Sequence, residues 1–255
     1  MITHRTTPFD AVIVGGTSGI GLALVRHLLG LSRKILIVGR HREKIEDLLR
    51  DHAGGIQFHQ ADLGESEQLA PTIEAVKQAF PGGLNAFVYA PAVYRRLPFH
   101  LQDSHDLTRL FQVNTLSAMI LLQGVFPLLK KKARQASALL ISSSLSKTPV
   151  AETTAYAASK AALDTLVRAL ALEWAPHGIR INSLLPGIVA TPLHRDHGES
   201  DLAFQKKMEE LGPLHPLGRV GSPEEVAALA ALLLSTEANW ITGVNWLMDG
   251  GISLV

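Results

Sequence analysis

The chain contains no cysteine among its 255 residues. That absence removes disulfide bridges, thiolate zinc sites, iron–sulfur clusters and cysteine nucleophiles together, and it suits a reducing, cytoplasmic setting. Charge of one sign is also lacking: 24 Lys and Arg stand against 23 Asp and Glu, for a formal net charge of +1. No global field is left to hold the chain on nucleic acid or an anionic membrane. Long apolar runs are missing as well. The longest, Val226–Leu234, has nine residues, about half of the roughly 20 that a membrane span needs. Met1–Asp10 is polar, with no apolar stretch behind a charged start, so no secretory signal is expected. Aromatics make up only 5% of the chain, with three tyrosines, Tyr89, Tyr94 and Tyr156. The expectation is a single cytoplasmic domain over residues 1–255 that binds neither nucleic acid nor membrane.

What is present is an alternation. Short aliphatic runs at 11–14, 34–38, 56–59, 86–90, 138–142, 180–185 and 244–248 read as strands. Several are apolar throughout, as parallel strands covered on both faces must be. Between them lie amphipathic stretches at 20–29, 42–51, 66–80, 105–131, 154–174 and 223–234. Ser222, Pro223, Glu224 and Glu225 supply a cap, a first-position proline and acids for the dipole at the start of the last. The pattern predicts an α/β fold with a doubly wound sheet of seven parallel strands. Residues 192–219 break the rhythm with a polar segment that has one helical patch near Leu202–Leu211, and are expected to form a lid over a site.

Directly after the first strand comes Val14-Gly15-Gly16-Thr17-Ser18-Gly19-Ile20-Gly21, leading into a helix. Glycines there permit a tight turn and let backbone N–H groups meet a pyrophosphate, whose charge the helix N-terminus stabilises. The second strand ends Val38-Gly39-Arg40, with no acid to bind a ribose 2′-hydroxyl. Arg40 is placed to pair with a 2′-phosphate, which favours NADP(H), with NAD(H) the alternative. Further along, Tyr156 and Lys160 are four residues apart in a helical stretch and share one face. A neighbouring ammonium favours the phenolate, which moves a tyrosine toward acid/base work.

The spacing Gly15-x-x-x-Gly19-x-Gly21 resembles the short-chain dehydrogenase/reductase family, with Val14 where that family usually has threonine. Tyr156-x-x-x-Lys160, with Ser143 thirteen residues upstream, extends the likeness, as do Asn182-x-x-x-Pro186-Gly187, Pro216–Arg219, Gly221–Val226 and Asp249-Gly250-Gly251. The resemblance implies a Rossmann-type fold and hydride exchange between a nicotinamide and a carbonyl or alcohol. It selects Ser143 over Ser142 and Ser144 to orient the substrate oxygen, Tyr156 as acid/base, Lys160 to lower the phenol pKa and bind the ribose, and Asn114 for the proton path. It further implies cofactor contacts at Gly15, Thr17, Ser18, Gly19, Ile20, Gly21, Asp62, Leu63, Ala90, Pro186, Gly187, Ile188 and Thr191, and homotetramers, with a dimer as runner-up. No metal is implied, and the eleven histidines are scattered. One stretch departs: the family's usual Asn-Asn-Ala-Gly reads Tyr89-Ala90-Pro91-Ala92, with Tyr89 expected near the adenine or under the central helix. That departure keeps open a non-catalytic, nucleotide-binding scaffold. Substrate contacts are expected from Tyr94, Arg95, Arg96, Leu145, Glu152 and the lid. Lys130, Lys131, Lys132 and Arg134 form a basic cluster that fits an acyl carrier protein as an alternative partner.

Overall fold

A computed structural model describes residues 9–255; the polar start at residues 1–8 lies outside the described residues. Seven parallel strands form one sheet in the order β3-β2-β1-β4-β5-β6-β7. They are β1 (Phe9–Val14), β2 (Ser32–Gly39), β3 (Ile56–Gln60), β4 (Ala86–Tyr89), β5 (Ala136–Ile141), β6 (Ile179–Pro186) and β7 (Asn245–Met248). The helices are α1 (Gly19–Leu28), α2 (Glu46–Asp51), α3 (Leu69–Ala79), α4 (Ser104–Phe111), α5 (Ser117–Lys130), α6 (Thr154–Trp174), α7 (Asp201–Leu211) and α8 (Pro223–Leu234). Strand order reverses between β1 and β4, which opens a crevice at the carboxyl edge of the sheet.

Period-two alternation sends the two faces of β1 into different cores. Val12 and Val14 join Leu121, Val125, Leu163 and Val167 of α5 and α6, while Ala11 and Ile13 join Leu24, Leu28, Val226 and Ala230 of α1 and α8. Both faces are dry, which explains the apolar runs. The start of α8 is a capping box: Ser222 Oγ accepts from Glu225 N at 3.2 Å, and Glu225 accepts from Ser222 N at 2.8 Å.

Three expectations need correction. The helix expected at 105–131 begins at Ser104 and carries a π-helical turn at Gln112–Leu116 between α4 and α5. By length and composition this run, Ser104–Lys130, is apolar enough to cross a membrane, yet 56% of its apolar window is buried inside the fold. Leu121, Leu122, Val125, Leu128 and Leu129 face the sheet, so packing accounts for the apolarity. The stretch expected as a helix at 42–51 splits into a 3-10 turn, Arg42–Ile45, and the short α2. The strand expected to reach Ala90 stops at Tyr89, because Pro91 has no N–H to continue the ladder.

Candidate active site

The strand ends converge at the carboxyl edge, and the turns that follow them hold the residues singled out above. After β1, Gly15 adopts φ +81°, a left-handed conformation that favours glycine. A Cβ on Gly21 would lie 2.2 Å from the Gly15 carbonyl oxygen, so the turn and α1 can meet only with glycine there. The first turn of α1 holds no acid and the Ser18 side chain makes no capping bond, so its amide dipoles are open to an anion. Thr17 is buried against Gly39, and Gly19 abuts Thr191. Arg40 is exposed at the tip of β2 with a charge close enough to act on Asp62. These features fit a dinucleotide whose pyrophosphate sits at α1 and whose ribose end lies near Arg40.

Asp62 is more heavily engaged than its sequence context indicates. Its Oδ1 accepts from Gly64 N at 2.9 Å and its Oδ2 from Arg109 Nη2 at 2.9 Å. Burial alone would raise this carboxyl; those bonds and the charges of Arg109 and Arg40 outweigh it and hold the group below its ordinary value. The Leu63 carbonyl already accepts from Ser117 Oγ at 2.7 Å. Arg109, on α4, was not legible as part of this end, because its partner stands 47 positions away.

Ser143 follows β5 in extended conformation, with its Oγ accepting from Leu145 N at 3.2 Å, and it also hydrogen-bonds the Tyr156 phenol. Ser142 is spent differently, donating to the Lys160 carbonyl at 3.2 Å. Lys160 Nζ donates to the Ile141 carbonyl at 2.8 Å and stands 5.8 Å from the centre of the Tyr156 ring. Both side chains are buried, Tyr156 at 5% exposure and Lys160 at 1%. In the protein alone, burial controls their electrostatics. It raises the Tyr156 phenol, with the Ser143 hydrogen bond pulling back, and pushes the Lys160 ammonium down to about 7, with Asp164 opposing. For both groups desolvation is the largest effect.

Asn114 sits in the π-turn, fully buried. Its Oδ1 accepts from Val93 N at 2.7 Å, while Nδ2 donates to the Val93 carbonyl at 2.9 Å and to Ser159 Oγ at 3.0 Å. The side chain therefore clamps the segment after β4 to α6. Tyr89 is buried and its hydroxyl donates to the Val113 carbonyl in the same turn, so it lies under the central helix and not at the adenine.

On the substrate side, Tyr94 meets Tyr156 edge-on, with ring centres 4.9 Å apart at 82°, and touches His194 at 5.8 Å. Arg95 is paired with Asp106, and Arg96 with Glu152 at 3.0 Å. Leu107, Leu110, Phe111 and Leu145 pack on the same side of Tyr156. The segment at 192–219 folds as a 3-10 turn, α7 and a second 3-10 turn, and hydrogen bonds between Ile188, Ala190 and Gly221 close its base. Pro186 ends β6 and Gly187 and Ile188 follow it at the same edge, where a Cβ on Gly187 would meet Asp249 at 2.9 Å.

Comparison with known proteins agrees with this architecture. A family model described as "Enoyl-(Acyl carrier protein) reductase" matches residues 14–253. A tropinone reductase homolog of Arabidopsis thaliana is 33% identical over 247 residues, covering 96% of this chain and 90% of the relative. Among solved structures, a short chain dehydrogenase/reductase family protein aligns with TM-score 0.85 and 28% identity over 98% of this chain and 100% of its own. An NADPH dependent reductase involved in bacilysin biosynthesis aligns with TM-score 0.86 and 27% identity over 96% of this chain and 98% of its own. The chain belongs to the short-chain dehydrogenase/reductase family. It is an NAD(P)-dependent oxidoreductase that acts on CH–OH and C=O groups.

Proposed function

We propose that the protein is an NADPH-preferring carbonyl reductase, working in reverse as an alcohol dehydrogenase. The observation that carries this reading is the meeting of Ser143, Tyr156 and Lys160 at the carboxyl edge, beside an open glycine turn. Ser143 and Tyr156 both hydrogen-bond the substrate oxygen. Tyr156 gives its proton to that oxygen in reduction and removes it in oxidation. Lys160 binds the nicotinamide ribose and biases the phenol toward ionisation, and Asn114 supports the proton path by fixing the π-turn against α6. The nicotinamide, when bound, supplies or accepts the hydride. Arg40 pairs with the 2′-phosphate, Thr17, Ser18, Gly19 and Ile20 line the pyrophosphate turn, and Asp62, Leu63 and Ala90 border the adenosine. Pro186, Gly187, Ile188 and Thr191 border the carboxamide, and residues 192–219 act as the lid.

The rings of Tyr94 and His194 and the apolar side chains around Tyr156 favour an uncharged substrate with a ring or branched apolar body. Arg95 and Arg96 are already neutralised by carboxylates, which argues against an anion site there. A 3-oxoacyl group on a carrier protein is the alternative. The basic cluster at Lys130–Arg134 precedes β5 whereas Ser143 follows it, which puts that cluster at the opposite edge of the sheet, about 20 Å away at ~3.3 Å per strand residue. Exposed Leu116, Met119 and Ile120 on the central helix, with Leu254 and Val255, support self-association, which we assign to a homotetramer with a dimer as the alternative. A stable monomer at micromolar concentration in light scattering would overturn that assignment.

The test is NADPH oxidation over a panel of ring-bearing ketones, carrier-linked 3-oxoacyl and enoyl thioesters, with Tyr156→Phe as control. Turnover of neutral ketones lost in the control is the expected outcome. Tight NADPH binding with no turnover across the panel would favour the non-catalytic scaffold.

A further inference from the structure

The face of α6 that carries Tyr156 and Lys160 continues one turn further to Asp164, a carboxylate only 3% exposed. An acid is out of place in this row, where the next inward positions are Val167, Ala171 and Trp174. Its oxygens are not idle. Ser146 Oγ stands 2.5 Å from Asp164 Oδ2 and 2.7 Å from the Ser143 carbonyl, and Ser183 Oγ donates to Oδ1 at 3.3 Å.

We propose that Asp164 is a positioning residue of the active site, a buried carboxylate that acts on the Lys160 charge from one helical turn away and braces the turn that carries Ser143. This rests on the roles given above to Ser143, Tyr156 and Lys160. Two buried groups of opposite charge one helical turn apart stabilise each other, and each would be strongly disfavoured alone. The Asp164 charge acts on Lys160 against the effect of burial. Among the described residues, the other elements packed on this part of α6 present no unpaired charge to it. β6 offers Ser183, the turn after β5 offers Ser143, Ser144 and Ser146, and the π-turn offers Asn114 and Thr115. α4 contributes Leu107, Leu110 and Phe111, its Asp106 and Arg109 being paired with Arg95 and Asp62. On α6 itself the titratable neighbours are Tyr156 and, one turn beyond Asp164, the exposed Arg168, whose guanidinium donates to Thr165 Oγ1 at 3.1 Å. The Ser146 hydroxyl lies between the same carboxylate and the Ser143 carbonyl, so one side chain acts on the Lys160 charge and stands against the turn that carries the serine.

The test is the pH profile of kcat for oxidation of a secondary alcohol, together with the pH dependence of unfolding of the ligand-free protein. Asp164→Asn is expected to move the acid limb of kcat upward by about one pH unit, because a less charged Lys160 leaves the Tyr156 phenolate less favoured. The stability profile of the free protein should shift toward lower pH in step, and Asp164→Glu should restore both. An acid limb at its wild-type position in Asp164→Asn, whatever the loss in kcat, would overturn the proposal. If Asp164→Asn does not fold, the paired change Asp164→Leu with Ser146→Ala removes the carboxylate and its partner together and reads the same limb. Activity surviving Tyr156→Phe would remove the underlying assignment; loss in Tyr156→Phe with an unmoved limb in Asp164→Asn would remove only this inference.

Discussion

The Tyr89 hydroxyl donates its hydrogen bond to the carbonyl of Val113, joining the end of β4 to the π-turn that carries Asn114. A π-turn displaces carbonyls from the ordinary helical ladder, and a buried carbonyl needs a donor. The phenol supplies one here. Removing it in Tyr89→Phe leaves the Val113 carbonyl buried and loses about 1–3 kcal/mol. Urea unfolding should show a lower midpoint with an unchanged slope. An unchanged midpoint would mean that the bond contributes nothing net.

The glycine turn gives a sharper outcome. A Cβ at position 21 would overlap the Gly15 carbonyl oxygen at 2.2 Å, and no side-chain rotation relieves a clash with backbone. Gly21→Ala should displace the turn and weaken NADPH binding by about tenfold or more, with calorimetric titration as the measurement. Wild-type affinity in this variant would show that the turn does not hold the pyrophosphate.

Cofactor choice turns on one side chain. Arg40 has an exposed guanidinium at the end of β2, and charge-assisted bonds to a 2′-phosphate are the strong kind. Arg40→Ala should raise the Kd for NADPH by roughly ten- to a hundredfold and leave NADH nearly unchanged. Equal losses for both cofactors would point to a general effect of charge instead.

Lys160 predicts a pH effect in the protein without ligand. Burial lowers it to about 7 from 10.5, so between those values the unfolded chain binds more protons than the folded one. Stability therefore rises with pH across that window; as pH falls it is lost progressively from 10.5 down to about 7, below which this contribution is level. Lys160→Met should flatten the rise in urea midpoints between pH 7 and 9.5. Parallel wild-type and variant profiles would refute the depressed value.

Much of this site could be read from local pattern. The glycine spacing, the Tyr156–Lys160 turn and Arg40 at a strand end each depend on residues near one another in the chain, where backbone geometry fixes who shares a face. Asp164 left a local trace too, as a lone acid in an apolar helical row. Arg109 left none, since its salt bridge to Asp62 spans 47 positions. The role of Tyr89 was likewise open, because an aromatic at a strand end fits the adenine side and the helix side equally well until the helix is placed.

The sequence by itself carried the seven-stranded, doubly wound parallel pattern and the Tyr156–Lys160 spacing, because apolar periodicity and short-range spacing are properties of the chain. Tertiary structure alone decided the rest. It placed the π-turn, paired Arg95 and Arg96 with carboxylates, and set Lys130–Arg134 at the far edge of the sheet from Ser143. It also added desolvation at the centre of the site. Spacing puts an ammonium beside a phenol, but the water excluded by the packed sheet and helices decides which protonation state each prefers.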